Sequence, residues 1–557
     1  MKYVIYGANR VAKDFMYIFD ELNILYLIDE RCTSETWCGY PLVKLEEALH
    51  DHQYDQIIIC DFDKKQKEQS LQKNGLIYKK DYIYEEDFFD GLDEISIPTE
   101  RKFLVWGTGQ VCQSMMKREF PWPVEFFIDS YKKYESFLER PVVLPQKVSD
   151  WKQYYVIIAV ERDSEIRKFL LAQGMIENID FINWKVVLSL PSLLLRRTIF
   201  DRSSYDLDCN TMLNHLEILP EGDTRYCCTT FVQEGSDNIL KKDQEGLWKS
   251  NIHKIMCLST ENKTFSFCDK SMCPLFLSKN KKVALYKEEP YKKMTHFPEV
   301  LALGYDPSCN LSCSTCRKKL HVAKGEELEH VERITKEIQK NYLSVCNFLI
   351  LAGNGEVFFS PAYRKIYESE TCDPKYIRLL SNGLLFTPQN WERFRKGKNG
   401  KIMLTVSVDA ATKRTYEHIR RNGNFDILQK NMEFAAELHR DGELHYFRMN
   451  FVVQKENYKE MVPFVEWGNR LGVDEVFFTK ILNWGTYTDE EFAQISMMES
   501  DGITPKVELK EILVHPIMKS EIVDLGTIQY SHKIDTVGIV ENYYMWELEK
   551  RGGKLFT

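Results

Sequence analysis

Apolar and polar positions along the chain fall into three regimes. At the front, "MKYVIYGANRVAKDFMYIF" reads as a buried strand, a glycine turn and a helix, and "LYLIDE" as a second strand ending in an aspartate. The same order returns one hundred residues further on as "RKFLVWGTGQVCQSMMKREF" and "EFFIDS". Gly7 answers to Gly107, Asp29 to Asp129 and Pro41 to Pro141, and the apolar runs "DQIIICDF" and "YYVIIAVE" follow in the same order. An internal repeat of this kind predicts a doubly wound α/β domain present twice, over residues 1–98 and 99–190.

Residues 185–204, "KVVLSLPSLLLRRTIFDRSS", predict an apolar connector that is helical after Pro191. Periodicity then weakens over a cysteine-rich stretch, 205–297. From Val300 short apolar runs return, separated by helical segments: "VLALGYD", "FLILAGNGE", "IRLLSNG", "IMLTVSVD", "YFRMNFVVQ" and "EVFFTKILNWG". Strand then helix, repeated in this way, predicts a parallel, barrel-like sheet over 298–490. The extension 491–557 is mixed and polar and carries no readable motif.

Size and charge narrow the function classes. A chain of 557 residues exceeds what one core supports, and about three to four domains are expected. The hydrophobic share of 44% and charged share of 28% are those of globular proteins. A formal net charge of −9 gives no overall attraction to nucleic acid or to anionic membranes. No apolar run reaches the roughly 18 residues of a membrane span, and the N-terminus reads as a strand and not as a signal peptide. A cytoplasmic protein is expected. There, fifteen cysteines point to metal ligands more than to disulfides.

The sharpest chemistry is "SCNLSCSTCRKKL", which sets Cys309, Cys313 and Cys316 in a Cys-x-x-x-Cys-x-x-Cys spacing. A structural zinc site takes four ligands, and a cubane iron–sulfur cluster has four irons to ligate. Three thiolates leave one metal position open, where chemistry can occur. The polar clusters Gly353–Glu356, Ser381–Gly383, Ser407–Asp409 and Asn483–Gly485 each end an apolar run. In a parallel α/β barrel those ends converge on one face. Taken singly, each cluster is also what an ordinary turn would contain.

With these motifs residues 298–487 resemble the radical S-adenosylmethionine (radical SAM) enzymes. The resemblance implies that Cys309, Cys313 and Cys316 hold a 4Fe–4S cluster whose fourth iron is chelated by SAM. "GNGE" is similar to the family's glycine-rich strand motif, which implies that the backbone of Gly353 and Gly355, with Glu356, holds the methionyl amine. It further implies Ser407 and Asp409 near the ribose, Arg420 on the SAM carboxylate, and Asn382 where the third strand meets the site. Thr315 stands where the family usually has an aromatic residue, and Asn354 where it has a second glycine. The implied activity is reductive cleavage of SAM to a 5′-deoxyadenosyl radical, fed by a flavodoxin- or ferredoxin-type donor. That radical abstracts hydrogen from an unactivated carbon, with an oxidoreductase or epimerase outcome.

A second set, Cys209, Cys227, Cys268 and Cys273, could saturate another cluster or a zinc ribbon. The run Cys209-x(12)-Gly222-x(4)-Cys227 resembles the opening of the SPASM or twitch extension, which implies one auxiliary 4Fe–4S cluster, here ahead of the barrel. Cys228 competes with Cys227 for the ligand position. Such a saturated cluster suits the role of electron acceptor. Cys257 reads as a packed helix residue, and Cys32, Cys38, Cys60, Cys112, Cys346 and Cys372 as scattered thiols.

"GTGQVC", with Asp129 beyond it, is a partial dinucleotide fingerprint. The first copy has Asn9 in place of the second glycine, and Ala12 and Cys112 replace the third. Both units resemble Rossmann-like domains beside sugar-modifying enzymes, which implies a sugar or nucleotide-linked substrate; a retired fold serving as scaffold fits equally. The expected fold is therefore α/β: two tandem Rossmann-like domains, a small Cys-rich SPASM-like domain and a partial (β/α)6 radical SAM barrel. Two other functions remain open, maturation of a ribosomal peptide and a non-catalytic iron–sulfur regulator with a ligand sensor. Neither a leader-binding winged helix nor a reason for a sensor to keep Glu356 and Arg420 is visible.

Overall fold

The computed structural model describes the chain except for residues 31–34, 52, 118–119, 121, 132–134, 161–162, 189, 202–204, 206, 229–236, 271–272, 278–296, 484–485, 500–501 and 529–557. Cys32, part of the Asn483–Gly485 cluster and the end of the extension fall outside the described residues. The chain forms two compact units, 1–208 with 249–267, and 209–248 with 268–557. The stretch 205–297, expected as one piece, is thus shared between them.

The first unit holds two six-stranded sheets with the same strand order. In the first sheet Lys2–Tyr6 is central, with Asn23–Ile28, Tyr40–Val43 and Thr36–Trp37 on one side and Gln56–Ile59 and Tyr82–Tyr84 on the other. Lys102–Trp106, Val124–Ile128, Arg140–Val143, Ser136–Phe137, Tyr154–Ile158 and Phe181–Asn183 repeat that order. Apart from the short pair at one edge of each sheet, all neighbours are parallel. Parallel strands covered on both faces need runs of apolar residues, and Val4, Ile5, Ile57, Ile58 and Ile59 are fully buried, as are Leu104, Val105, Val156 and Ile157. Each central strand ends in a glycine whose amide bonds back to the neighbouring strand, Gly7 to Ile28 at 2.9 Å and Gly107 to Ile128 at 2.8 Å.

The connector forms helices Trp184–Leu188 and Pro191–Phe200. Proline opens the second where its missing N–H costs nothing. The Asp93 carboxylate caps that helix by accepting from the Ser192 amide at 2.8 Å and from its hydroxyl. Helix Asn251–Glu261 packs on it, and Asn262 donates to Asp14 at 2.7 Å. These contacts tie 249–267 to the first unit.

The second unit is built on one nine-stranded sheet. In chain order its strands are β1 His215–Ile218, β2 Thr224–Arg225, β3 Val300–Leu303, β4 Phe348–Leu351, β5 Tyr376–Ser381, β6 Lys401–Ser407, β7 Leu444–Val453, β8 Glu475–Lys480 and β9 Val523–Asp524. The spatial order is β2-β1-β3-β4-β5-β6-β7-β8-β9, with β2 antiparallel to β1 and every other pair parallel. The six runs read from the sequence are β3 to β8. Two short edges extend them. "HLEI" alternates polar and apolar residues too briefly to announce a strand, and parallel pairing beside Val300–Leu303 makes it one.

Burial along β7 alternates. Phe447, Met449, Phe451 and Val453 are buried, while Tyr446, Arg448, Asn450 and Val452 are only partly so. One face of the sheet therefore packs against helices, and the other keeps polar side chains. Helix Glu326–Asn341 opens on Glu326, Glu327 and Glu329 and closes near Lys340, matching the helix dipole. Among the described residues no helix is long and apolar enough to cross a membrane.

The glycine turns give a test. Gly7 lies at φ +142°, and a Cβ there would sit 2.2 Å from the Cys60 carbonyl oxygen, whereas Gly75, at φ +81°, has open space around it. Gly75→Ala should cost about 1–2 kcal/mol from backbone alone. Gly7→Ala should cost about 1–3 kcal/mol more from the forced overlap, seen as the larger drop in the thermal midpoint of the full chain.

Candidate metal and cofactor site

The cysteine loop leaves β3 and is held from both sides. The buried Asp306 carboxylate accepts from Ser308 N at 2.9 Å and from the Ser360 hydroxyl. Cys309 N donates to His321 O at 2.9 Å, and the amides of Cys316 and Arg317 both donate to Cys313 O at 3.0 Å. A second segment zips along the loop. Ser314 N donates to Ile419 O at 3.0 Å, Arg421 Nε to Ser312 O at 2.7 Å, and Asn422 Nδ2 to the Ser312 hydroxyl at 2.8 Å.

The zipper brings Arg420 Nη1 to 3.6 Å from Cys313 Sγ. Arg317 Nε and Nη2 each lie 3.4 Å from Cys316 Sγ. Burial pushes the Cys309 thiol up to about 12, with Arg317 opposing and Glu356 adding to it. Burial also raises Cys313, against the pull of Arg420, and the Cys316 thiol adds to the rise. Three thiols thus share one buried neighbourhood beside two guanidiniums.

Among the described residues no three metal-binding side chains are already drawn to a common ligand point. The donor chemistry nevertheless fits an iron–sulfur cluster. Metal coordination deprotonates thiols, and the guanidiniums offset the charge that results. The buried Arg420 Nε and Tyr416 hydroxyl are also left without hydrogen-bond partners beside the loop.

Neighbouring strand ends complete the surroundings. Ala352, just past β4, takes φ +71°, which a non-glycine residue adopts at a cost. Gly355, at φ +79°, passes so close to the cysteine loop that a Cβ would lie 2.3 Å from Asp306 O. That turn buries Glu356, whose carboxylate accepts from the Ser381 hydroxyl at 2.8 Å, Asn382 N at 2.7 Å and Phe358 N at 3.4 Å. Burial raises its carboxyl to about 7, with those hydrogen bonds opposing. Asn382 Nδ2 donates to Asn310 Oδ1 at 2.9 Å, so the end of β5 touches the cysteine loop. Gly353 stands exposed beside these residues, its amide on Leu303 O at 3.1 Å.

Ser407 ends β6, paired with Asn450. Asp409, two residues on, has φ +65° and is buried. Its carboxylate accepts from Val452 N at 2.8 Å and meets Arg420 Nη2 at 2.6 Å. Burial raises Asp409, and Arg420 opposes that rise. In this structure Asp409 therefore serves Arg420.

The hairpin of β1 and β2, turned at Gly222, separates Cys209 from Cys227. Burial holds the Cys227 thiol well above its ordinary value, and Cys209, Cys273, Cys228 and Cys268 push it further. Burial likewise raises Cys273 to about 12, with Cys209 adding to it. Five thiols therefore share one neighbourhood, Cys228 among them. Cys257 is buried in a helix of the first unit.

At the front, the two glycine turns differ. Asn9 Oδ1 caps its helix on Ala12 N at 3.2 Å, while Nδ2 donates to Cys60 O at 3.0 Å and Asp61 at 3.2 Å. The side chain fills the first turn. Gly109 in the second has nothing within 4 Å of where a Cβ would be, and Thr108 donates to Asp129. Arg317 and Ser381 also enter the site, on Cys316 and on Glu356, contacts that no motif assigns to them. Their positions, directly after the third cysteine and inside "SNG", were the available signal.

Residues 306–495 match the model of the radical SAM superfamily. No curated protein matches the chain. Among solved structures it is similar to Streptococcus suis SuiB bound to precursor peptide SuiA, at 18% identity and TM-score 0.27, covering 34% of this chain and 41% of that one. It is also similar to anSMEcpe with bound AdoMet, at 17% identity and TM-score 0.24, covering 33% and 52%. A radical SAM methyltransferase from Sphaerobacter thermophilus matches at 15% and TM-score 0.22, covering 31% and 53%. The match spans about half the length of these proteins.

The Asp409–Arg420 pair yields a direct test. Asp409→Ala strands a buried guanidinium and should cost about 3–5 kcal/mol. The readout is thermal unfolding followed by circular dichroism, with Ser407→Ala, which breaks no ion pair, remaining near wild type.

Proposed function

We propose that this chain is a radical SAM iron–sulfur enzyme acting on a sugar or nucleotide-linked metabolite in the cytoplasm. The observation that carries the reading is the three-thiol loop 309–316, zipped to the Arg420 segment and bordered by Glu356 and Asn382. The cluster and SAM together supply a 5′-deoxyadenosyl radical that takes hydrogen from an unactivated carbon. Cys309, Cys313 and Cys316 hold the cluster, and the loop's hydrogen bonds fix their spacing. Gly353, Gly355 and Glu356 would receive the methionyl amine, whose N–H groups the ionised Glu356 accepts in a charge-assisted contact. Arg420, oriented by Asp409, receives the carboxylate, and Ser407 faces the ribose. Asn382 braces the cysteine loop against β5.

Cys209, Cys227, Cys268 and Cys273 would hold an auxiliary cluster, with Cys228 beside them as the competing ligand, and such a cluster would supply an electron acceptor. A flavodoxin- or ferredoxin-type protein supplies the reducing electron. Support for a nucleotide-linked substrate comes from the second front turn, where Gly109 leaves room and Asp129 is held for ribose hydroxyls.

Anaerobically reconstituted protein should hold about eight iron and eight sulfide, as two clusters of four. With Cys309, Cys313 and Cys316 all replaced by Ala, about four of each should remain. Wild type with SAM and dithionite should release 5′-deoxyadenosine, and that variant none. Equal release from both would overturn the assignment of the loop, and zinc at the second set would remove the auxiliary cluster.

The raised Glu356 carboxyl sets a pH dependence. Below about 7 it is protonated in the ligand-free protein, and an amine N–H donor selects the carboxylate. SAM affinity should therefore fall as pH drops through that value, by about tenfold from pH 8 to pH 6. Glu356→Gln should flatten this dependence in equilibrium dialysis. The same slope in both proteins would remove Glu356 from the amine site.

A further inference from the structure

Asn354 occupies the position where a glycine-rich turn would carry no side chain, and that side chain does something specific. Its Oδ1 lies 3.5 Å from Arg317 Nη2. Its Nδ2 is buried without a hydrogen-bond partner, which is unfavourable for a buried donor. Glycine would remove both the cost and the contact. The contact this side chain makes points to Arg317.

Arg317 is 2% exposed, although a guanidinium is normally solvated. Its Nη1 donates to Pro307 O, Nε and Nη2 approach Cys316 Sγ at 3.4 Å, and its own carbonyl accepts from Arg421 Nη2 at 2.7 Å. The planar fork is thus held against the third cysteine by the loop on one side and by Asn354 on the other. Arg420, the other guanidinium beside a cysteine sulfur, faces the Asp409 carboxylate at 2.6 Å. A fixed positive charge in a buried site acts strongly on any neighbouring charge, and arginine keeps that charge at every working pH.

We propose that Arg317, oriented by Asn354, is a positioning residue that raises the reduction potential of the cluster held by Cys309, Cys313 and Cys316. Adding one electron makes the cluster more negative, and the adjacent guanidinium stabilises that state over the oxidised one. A weak biological one-electron donor then suffices. The inference rests on the reading of the three cysteines as cluster ligands.

The test is an EPR-monitored, mediator-based redox titration of the reconstituted full chain, following the signal that changes when SAM is added. Arg317→Met should lower the reduced-to-oxidised ratio at a fixed potential at least about tenfold, roughly 59 mV for one electron. Arg317→Lys, which keeps a charge, should recover most of that loss. Asn354→Gly should shift the potential in the same direction by less, with iron content unchanged. Coincident potentials for wild type and Arg317→Met, or equal shifts for the Met and Lys variants, would overturn the proposal. If Arg317→Met does not load iron, Asn354→Gly decides, and an unshifted potential there overturns it. A wild-type chain without any SAM-responsive signal would sink the cluster reading itself, which is a distinct outcome.

Discussion

Parallel pairing from β3 to β8 is the constraint on which the site depends. Once neighbouring strands run the same way, every carboxyl-terminal strand end reaches the same rim, and residues far apart in sequence meet there. Glu356 after β4 can then accept from Ser381 and Asn382 at the end of β5. Asp409 after β6 can accept from Val452 in β7. The cysteine loop after β3 receives the segment that follows the helix beyond β6. An antiparallel sheet of the same strands would send alternate ends to opposite rims.

The rim concentrates expensive groups. A carboxylate at Glu356, an ion pair at Asp409 and Arg420, and the thiols of Cys309 and Cys313 are all withdrawn from water. Burial costs most for charges, and each group is compensated locally by hydrogen bonds or by an opposite charge. Left-handed backbone at Ala352, Asp409 and Asn422 adds strain at the same rim. Strain and buried charge of this kind persist where surrounding structure over-determines them, and here the zipped loop supplies that rigidity.

The two glycine turns of the first unit diverged in side-chain chemistry while keeping one backbone pattern. Asn9 spends its amide on Cys60 and Asp61 and its oxygen on the helix cap. Gly109 leaves the corresponding position open. One residue type decides whether the turn is filled or free.

By itself the sequence determined the strand runs, the duplicated front and the cysteine triplet, because each is a local pattern of apolar period, glycine turn or thiol spacing. It also marked the polar clusters at strand ends. Tertiary structure alone decided which partners those clusters take. "HLEI" is too short and polar to announce a strand, and only pairing beside β3 makes it one. The Asp409–Arg420 ion pair is likewise tertiary, because a buried guanidinium needs an opposite charge from a remote segment. Cys228 enters the neighbourhood of Cys209, Cys227, Cys268 and Cys273, and Arg317 folds back on Cys316 with Asn354 behind it. Such pairings depend on distances between segments remote along the chain, and no local pattern encodes them.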